Sequence, residues 1–255
     1  MLSLKGVVAG YGGGNVLQGV DLNVAKGSIT CIVGPNGAGK STVLRTISGL
    51  LSPSAGTIDL LGKPIHKLNC HSILSQGVVQ LPQHDALFPL MTVRENVMMG
   101  GYLIRRQRAL IAERYEYVES LIPLVRDRPH DKAGNLSGGQ RRMVELGRTL
   151  MLDPSLILMD EPSLGLDPKA VVQVWDLIRL FVEQQRTILL VEQNVKLGFK
   201  VATHGVIMEG GKVRREGEPS ALLADPDMAA LYLGGTTQEA APTSDKESVD
   251  GRPDS

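Results

Sequence analysis

A chain of 255 residues with 42% hydrophobic and 21% charged side chains has the makeup of one large globular α/β domain or two small ones. Its 27 Lys+Arg balance its 27 Asp+Glu, so no whole-chain charge draws it to nucleic acid or to an acidic membrane surface. Two cysteines make no disulfide framework, which fits a reducing compartment, and the start MLSLKGVVAG lacks the basic stretch and apolar core of a secretion signal. No apolar run reaches the roughly 18 residues a membrane helix needs. A soluble protein is expected, with any membrane role arising through a partner.

The first segment reads as β. Val20, Leu22 and Val24 alternate with polar residues, as in a half-buried strand. Ile29 to Val33 is a continuous apolar run ending at glycine, the pattern of a strand buried on both faces, with Cys31 as a buried core thiol. A helix is predicted from Lys40 to about Gly49. Thr92-Val93-Arg94-Glu95 spells a capping box that opens a helix over Val93 to Met99. Ile111, Tyr115, Val118 and Ile122 share one helical face, and Pro123 ends or kinks that helix. Residues 90 to 135 therefore read as a helical insertion between two strand-rich regions.

After Gly139, the residues Met143, Leu146, Leu150 and Met151 keep helical spacing. Leu156 to Met159 reads as a buried strand, and Asp167-Pro168 as an N-cap with proline at the first helical position. Val171, Val174, Trp175, Ile178 and Val182 form the apolar stripe of that helix. Thr187 to Val191 is another buried strand. Gly205 to Glu209, Gly210-Gly211 and Lys212 to Glu216 suggest a terminal hairpin. From Thr236 onward the sequence is Ser, Asp, Glu, Pro and Thr with almost nothing apolar, and disorder is expected there.

Three motifs carry chemistry. Gly34-Pro35-Asn36-Gly37-Ala38-Gly39-Lys40-Ser41-Thr42 matches G-x-x-x-x-G-K-[ST] between a strand and a helix. Glycines let backbone N–H groups approach phosphate oxygens, and the helix N-terminus adds partial positive charge. Lys40 is expected to reach the β- and γ-phosphates of ATP and Ser41 to ligate Mg²⁺. The second motif, Leu156-Ile157-Leu158-Met159-Asp160-Glu161-Pro162, delivers two carboxylates at the end of a buried strand. Asp160 suits the magnesium partner, and Glu161 suits a group that orients or deprotonates water. The third is Leu136-Ser137-Gly138-Gly139-Gln140, small residues opening a helix, with Ser137 and backbone N–H groups exposed to phosphate. A chain with one phosphate loop has little use for a second such device, which argues for a site shared between two chains.

GPNGAGKST, LSGGQ, and LMDEP followed by SLGLD, in that order, resemble the nucleotide-binding subunit of ABC transporters over about residues 1 to 235. The resemblance implies an α/β P-loop NTPase core with an antiparallel β subdomain, an α-helical subdomain inserted at about 90–135, and a tail over 236–255. It implies that Tyr11 stacks on adenine and that Gln83 reaches Mg²⁺ and water and links to the transport subunit. Ser163 to Asp167 matches the loop that runs between sites across a dimer. ATP is then sandwiched between one chain's phosphate loop and Ser137, Gly138, Gly139 and Gln140 of another. The implied partners are a second ATPase chain (a homodimer or a heterodimer), integral membrane permease subunits and, indirectly, a solute-binding protein. The implied location is cytoplasmic, peripheral on the inner face of the cell membrane.

One position departs from the family pattern. Gln193, in Leu190-Val191-Glu192-Gln193-Asn194, stands where most members carry a histidine. Glutamine can donate a hydrogen bond to the γ-phosphate but cannot carry a proton near neutral pH. His204 is not expected to substitute. The VEQN spelling resembles the second ATPase subunit of importers for branched-chain amino acids and of related urea and amide systems. LFPLMTVRENVMMG and the stretch near Leu231-Tyr232-Leu233-Gly234 agree with that group. Lipopolysaccharide export and a non-transport ABC ATPase stand as alternatives; the absence of a long coiled-coil insertion and of a basic footprint speaks against the second.

Overall fold

The computed structural model describes residues 1–84 and 86–225; the expected boundary at 235, the segment near Leu231–Gly234 and the 236–255 tail lie outside the described residues. Two sheets organise the chain. In the first, β1 (Leu2–Tyr11) pairs antiparallel with β2 (Gly14–Val24) and with β4 (Ala55–Leu60), which pairs with the short β5 (Lys63–Pro64).

The second sheet has β3 (Ile29–Val33), β6 (Val78–Leu81), β7 (Leu156–Asp160), β8 (Thr187–Glu192), β9 (His204–Glu209) and β10 (Lys212–Gly217) in the order β10-β9-β3-β8-β7-β6. All neighbours pair in parallel except the edge pair β9–β10. The predicted hairpin at 205–216 is therefore real, but its first arm is also a parallel neighbour of β3 inside the main sheet.

The continuous apolar strands are buried on both faces. Ile157, Met159, Ile188 and Leu190 point into the core shared with helices α3 (Val93–Met99), α6 (Gly138–Leu150) and α7 (Pro168–Glu183). Leu158, Leu189 and Val191 point the other way, against α1 (Lys40–Ile47) and the antiparallel sheet. The run at 90–135 carries α3, α4 (Arg108–Leu121) and α5 (Pro123–Asp127). Thr92 and Glu95 cap α3 reciprocally, Thr92 Oγ1 accepting from Glu95 N–H and Glu95 Oε2 accepting from Thr92 N–H. Of the predicted face, Tyr115 and Val118 are buried on α4 and Ile111 is half-buried; Ile122 is buried one residue past the helix end, and α5 restarts at Pro123. Asp167 caps α7 by accepting from the N–H groups of Lys169 and Ala170. Cys31 is fully buried, and burial pushes its thiol pKa well up. No described helix is long and apolar enough to cross a membrane.

Candidate functional site

Strands β3, β6, β7 and β8 all end on one edge of the parallel sheet, where carboxyl ends of strands leave a crevice for ligands. β3 runs into the 34–39 loop. Gly34 passes so close to β9 that a Cβ there would lie 2.1 Å from the Met208 carbonyl oxygen. Gly39, the residue before α1, has φ 98, a left-handed conformation that favours glycine. The N-terminus of α1 has no side-chain cap and no acidic residue in its first turn. Its leading N–H groups thus require acceptors from outside the helix.

Lys40 sits in the same place. It is 5% exposed, and its Nζ donates to the carbonyls of Gly34 at 2.8 Å and Pro35 at 3.1 Å. Burial lowers its pKa, while the negative charges of Glu161 and Asp160 raise it. A buried ammonium beside uncapped helix amides fits a chain of phosphate oxyanions.

The acidic side is equally well defined. Ser41 Oγ donates to Asp160 Oδ1 at 2.9 Å, which brings the phosphate-loop hydroxyl to the end of β7. Burial raises the Asp160 pKa; Ser41, Arg45, Lys40 and His84 pull it down. The Ser41–Asp160 oxygens are hard donors beside the phosphate loop, a set that suits magnesium, which keeps most of its shell as water and phosphate. Next in the chain, Glu161 is 7% exposed with φ 46, a rare conformation for a non-glycine residue. Its N–H donates to Val191 O at 2.9 Å, and its Oε2 accepts from Gln83 Nε2 at 2.9 Å. Tyr11, Ser41, Arg45, Gln83, His84 and Asp160 line a cavity of 630 Å³, and Arg45 Nη1 donates to the Tyr11 hydroxyl.

A model of the family described as ABC transporter matches residues 17–164. The chain is 35% identical over 235 residues to a high-affinity branched-chain amino acid transport ATP-binding protein of Pseudomonas aeruginosa, covering 92% of this chain and 100% of that protein. It is 34% identical to a probable branched-chain amino acid transport ATP-binding protein of Archaeoglobus fulgidus (92% and 99% covered) and 35% identical to a Nod factor export ATP-binding protein of Rhizobium sp. (93% and 78%). Among solved structures, the ADP conformation of an ABC transporter ATP-binding cassette aligns with TM-score 0.83 at 28% identity, covering 92% of this chain and 99% of that one. A dimeric cassette bound to ADP and Pi aligns with TM-score 0.74 at 27% identity, covering 86% and 99%. The chain belongs to the ABC transporter ATP-binding family. It is an ATP-binding, ATP-hydrolysing subunit.

In this ABC ATPase the LSGGQ residues stand apart from the phosphate loop. Ser137, Gly138, Gly139 and Gln140 do not line the cavity of Ser41 and Asp160. Ser137 caps α6 in a capping box: its Oγ accepts from Gln140 N–H at 3.3 Å, and Gln140 Oε1 accepts from Ser137 N–H at 3.0 Å. Gly138 is exposed, whereas Gly139 is buried, and a Cβ on it would lie 2.5 Å from Ala170 Cβ. Gly139 thus serves the packing of α6 on α7, a role the motif reading did not separate from phosphate binding. Gln193 is exposed and shares a 520 Å³ cavity with Glu161, Ser163, Glu192 and Lys196. His204 lies at the opposite end of its strand, with Nε2 3.5 Å from Glu216 Oε2.

Two features escaped the sequence. Arg142 and Glu145 form a buried ion pair at 2.8 Å, and the same guanidinium donates to the Pro82 and Gln83 carbonyls at 3.1 and 2.8 Å. Glu192 ends β8 and is 2% exposed. An apolar run that closes on a carboxylate, the signal that marks Asp160, also marks Glu192.

Proposed function

We propose that this subunit hydrolyses magnesium-bound ATP between two chains and so powers import of branched-chain amino acids or related small solutes. In this reading Lys40 and the amides of Gly34–Thr42 hold the phosphates. Tyr11 stacks on adenine, and Ser41, Asp160 and Gln83 hold the metal. Mg²⁺, when bound, neutralises phosphate charge and fixes the terminal phosphate. Glu161 orients or deprotonates the attacking water, and Gln193 donates to the γ-phosphate. Ser137–Gln140 of a second chain, a copy or a related ATPase, close the site. Permease subunits would hold the pair on the inner face of the membrane and, through a solute-binding protein, supply the cargo.

The observation that carries the hydrolytic reading is the meeting of Lys40, the Ser41–Asp160 pair and the Gln83–Glu161 pair on one sheet edge. The solute class is supported by the two relatives named for branched-chain amino acid transport and by Gln193 at the usual histidine position. Proteoliposomes carrying the cognate permease and binding protein test it. ATP-dependent accumulation of labelled leucine is expected. Extrusion of solute, or accumulation of other solutes only, would overturn the solute assignment.

A further inference from the structure

We propose that Glu192 is a positioning residue for hydrolysis: its buried carboxylate latches the turn after Glu161 to the turn that carries Gln193. The proposal rests on the hydrolytic roles given above to Glu161 and Gln193. Glu192 Oε1 accepts from the Ser163 hydroxyl at 2.8 Å and from the Ser163 N–H at 3.2 Å. Ser163 lies two residues after Glu161, in a turn closed by Leu164 N–H donating to Glu161 O at 3.1 Å. Gln193 follows Glu192 directly. One carboxylate therefore ties both turns that border the 520 Å³ cavity.

The stem of the Glu192 side chain is closely covered. Gly198 of the helix Val195–Val201 packs over it; a Cβ there would lie 3.0 Å from Glu192 Cβ and 2.6 Å from Cys31 Sγ. The titratable groups facing Glu192 are few. Glu161 adds negative charge from the β7 side, and the buried Cys31 thiol on β3 stays neutral. Lys196 lines the same cavity from the covering helix, exposed at its rim.

Burial pushes the Glu192 carboxyl up to about 7; the two Ser163 donors pull it down, Glu161 pushes it further up, and the Gln193 backbone pulls it down. Ionised, it offers a charged acceptor to both Ser163 donors, and such hydrogen bonds are roughly twice as strong as neutral ones. Protonated on the other oxygen, it leaves Oε1 only a neutral acceptor for both Ser163 donors, and the latch loosens. Glu161 begins the latched turn in a strained conformation, so its orientation depends on Ser163 being held. A proton-sensitive group thus stands one residue before the glutamine that cannot titrate.

Two readouts test this on the full chain. In ATP-free protein, the ¹³C carboxyl resonance of Glu192 is expected to titrate near pH 7, and Ser163→Ala to move that midpoint upward by removing a donor to the anion. In steady-state hydrolysis with magnesium, kcat is expected to rise through the same midpoint while KM for ATP stays flat. Glu192→Gln, which keeps the side chain's size and an acceptor oxygen, should abolish the rise, and Ser163→Ala should shift it upward. A Glu192 resonance titrating near 4.5, or a kcat rise that survives in Glu192→Gln, overturns the latch. Hydrolysis unaffected by Glu161→Gln overturns the role of Glu161, while a carboxyl titrating near 7 and shifted by Ser163→Ala still supports the tie to Ser163.

Discussion

Gln83 and Glu161 meet side chain to side chain, the amide Nε2 donating to Oε2 across 2.9 Å. The carboxylate after β7 is thereby oriented by a residue from the loop after β6. Gln83→Ala is expected to free Glu161 and to lower kcat for ATP hydrolysis by about tenfold or more, below the 10²–10⁴ that a positioned base supplies. Affinity for magnesium-bound ATP should fall less than kcat, because Lys40, the loop amides and the Ser41–Asp160 pair are untouched. Steady-state kinetics beside calorimetric ATP titration separates the two; an equal loss in affinity would mean that Gln83 binds nucleotide directly.

Gln83 is itself held from behind. Arg142 grips the Pro82 and Gln83 carbonyls while paired with buried Glu145, so the helix that opens with LSGGQ is wired to the loop that orients Glu161. Arg142→Met should destabilise the fold by about 3–5 kcal/mol, since it strands a buried carboxylate. The double variant Arg142→Met/Glu145→Leu should recover most of that stability in urea unfolding. Its hydrolysis should stay low, because the carbonyls have lost their donors. Recovery of both properties together would show that the pair only holds the helix in place.

Lys40→Ala deletes the ammonium that faces the loop. ATP affinity should fall by about 100-fold, in line with the 1.5–3 kcal/mol of a hydrogen bond to a charged group. Unchanged binding in calorimetry would place the phosphates elsewhere.

The parts that were legible in the sequence share one property: their signal is local. The 34–42 loop, the capping box at Thr92–Glu95, the Asp167 cap and the apolar runs of β3, β7 and β8 are each spelled by neighbouring residues. The first segment reads as β, but the bounds of β1 are not legible, because register shifts between Leu4 and Val7 and between Val7 and Val8 break its alternation, with Gly6 at φ 58. β6 has only four residues, too few for periodicity to register. The Arg142 grip on Gln83 spans 59 residues and the Ser163–Glu192 bonds span 29. Neither leaves a trace in any window of sequence. Ser137 and Gly138 are exposed, as the motif predicts, but Leu136 and Gly139 are buried, and the steric reason for Gly139 sits on α7.

Glu192 makes a signed prediction about stability. Its carboxyl is raised in the folded chain from an ordinary 4.5 to about 7, so the folded state holds a proton that the unfolded chain releases. Stability from this group is full below about pH 4.5 and is lost as pH rises through about 7. Glu192→Gln removes the titration. Its stability relative to the parent chain should therefore grow by about 2–3 kcal/mol between pH 5 and pH 8. Urea unfolding of both proteins across that range measures it. A difference that is flat with pH would mean that the buried carboxyl is already ionised at pH 5.

Gly139 provides a steric test of the helix pair that presents LSGGQ. A methyl group at this position meets Ala170 Cβ at 2.5 Å, far inside contact distance, so Gly139→Ala must push α6 away from α7. Overpacking of this kind costs about 1–3 kcal/mol. The displacement also carries Ser137 and Gly138 out of line with a phosphate held by another chain. Hydrolysis should fall, while ATP binding to the isolated chain stays near normal, because Lys40 and the 34–42 loop lie on a different surface. Ala170→Gly removes the opposing methyl group. The double variant Gly139→Ala/Ala170→Gly should therefore recover hydrolysis and unfolding midpoint together, apart from the small penalty of a glycine inside α7. If hydrolysis stays low when stability returns, the Cβ at 139 obstructs the facing nucleotide directly, and the packing account of this glycine is wrong.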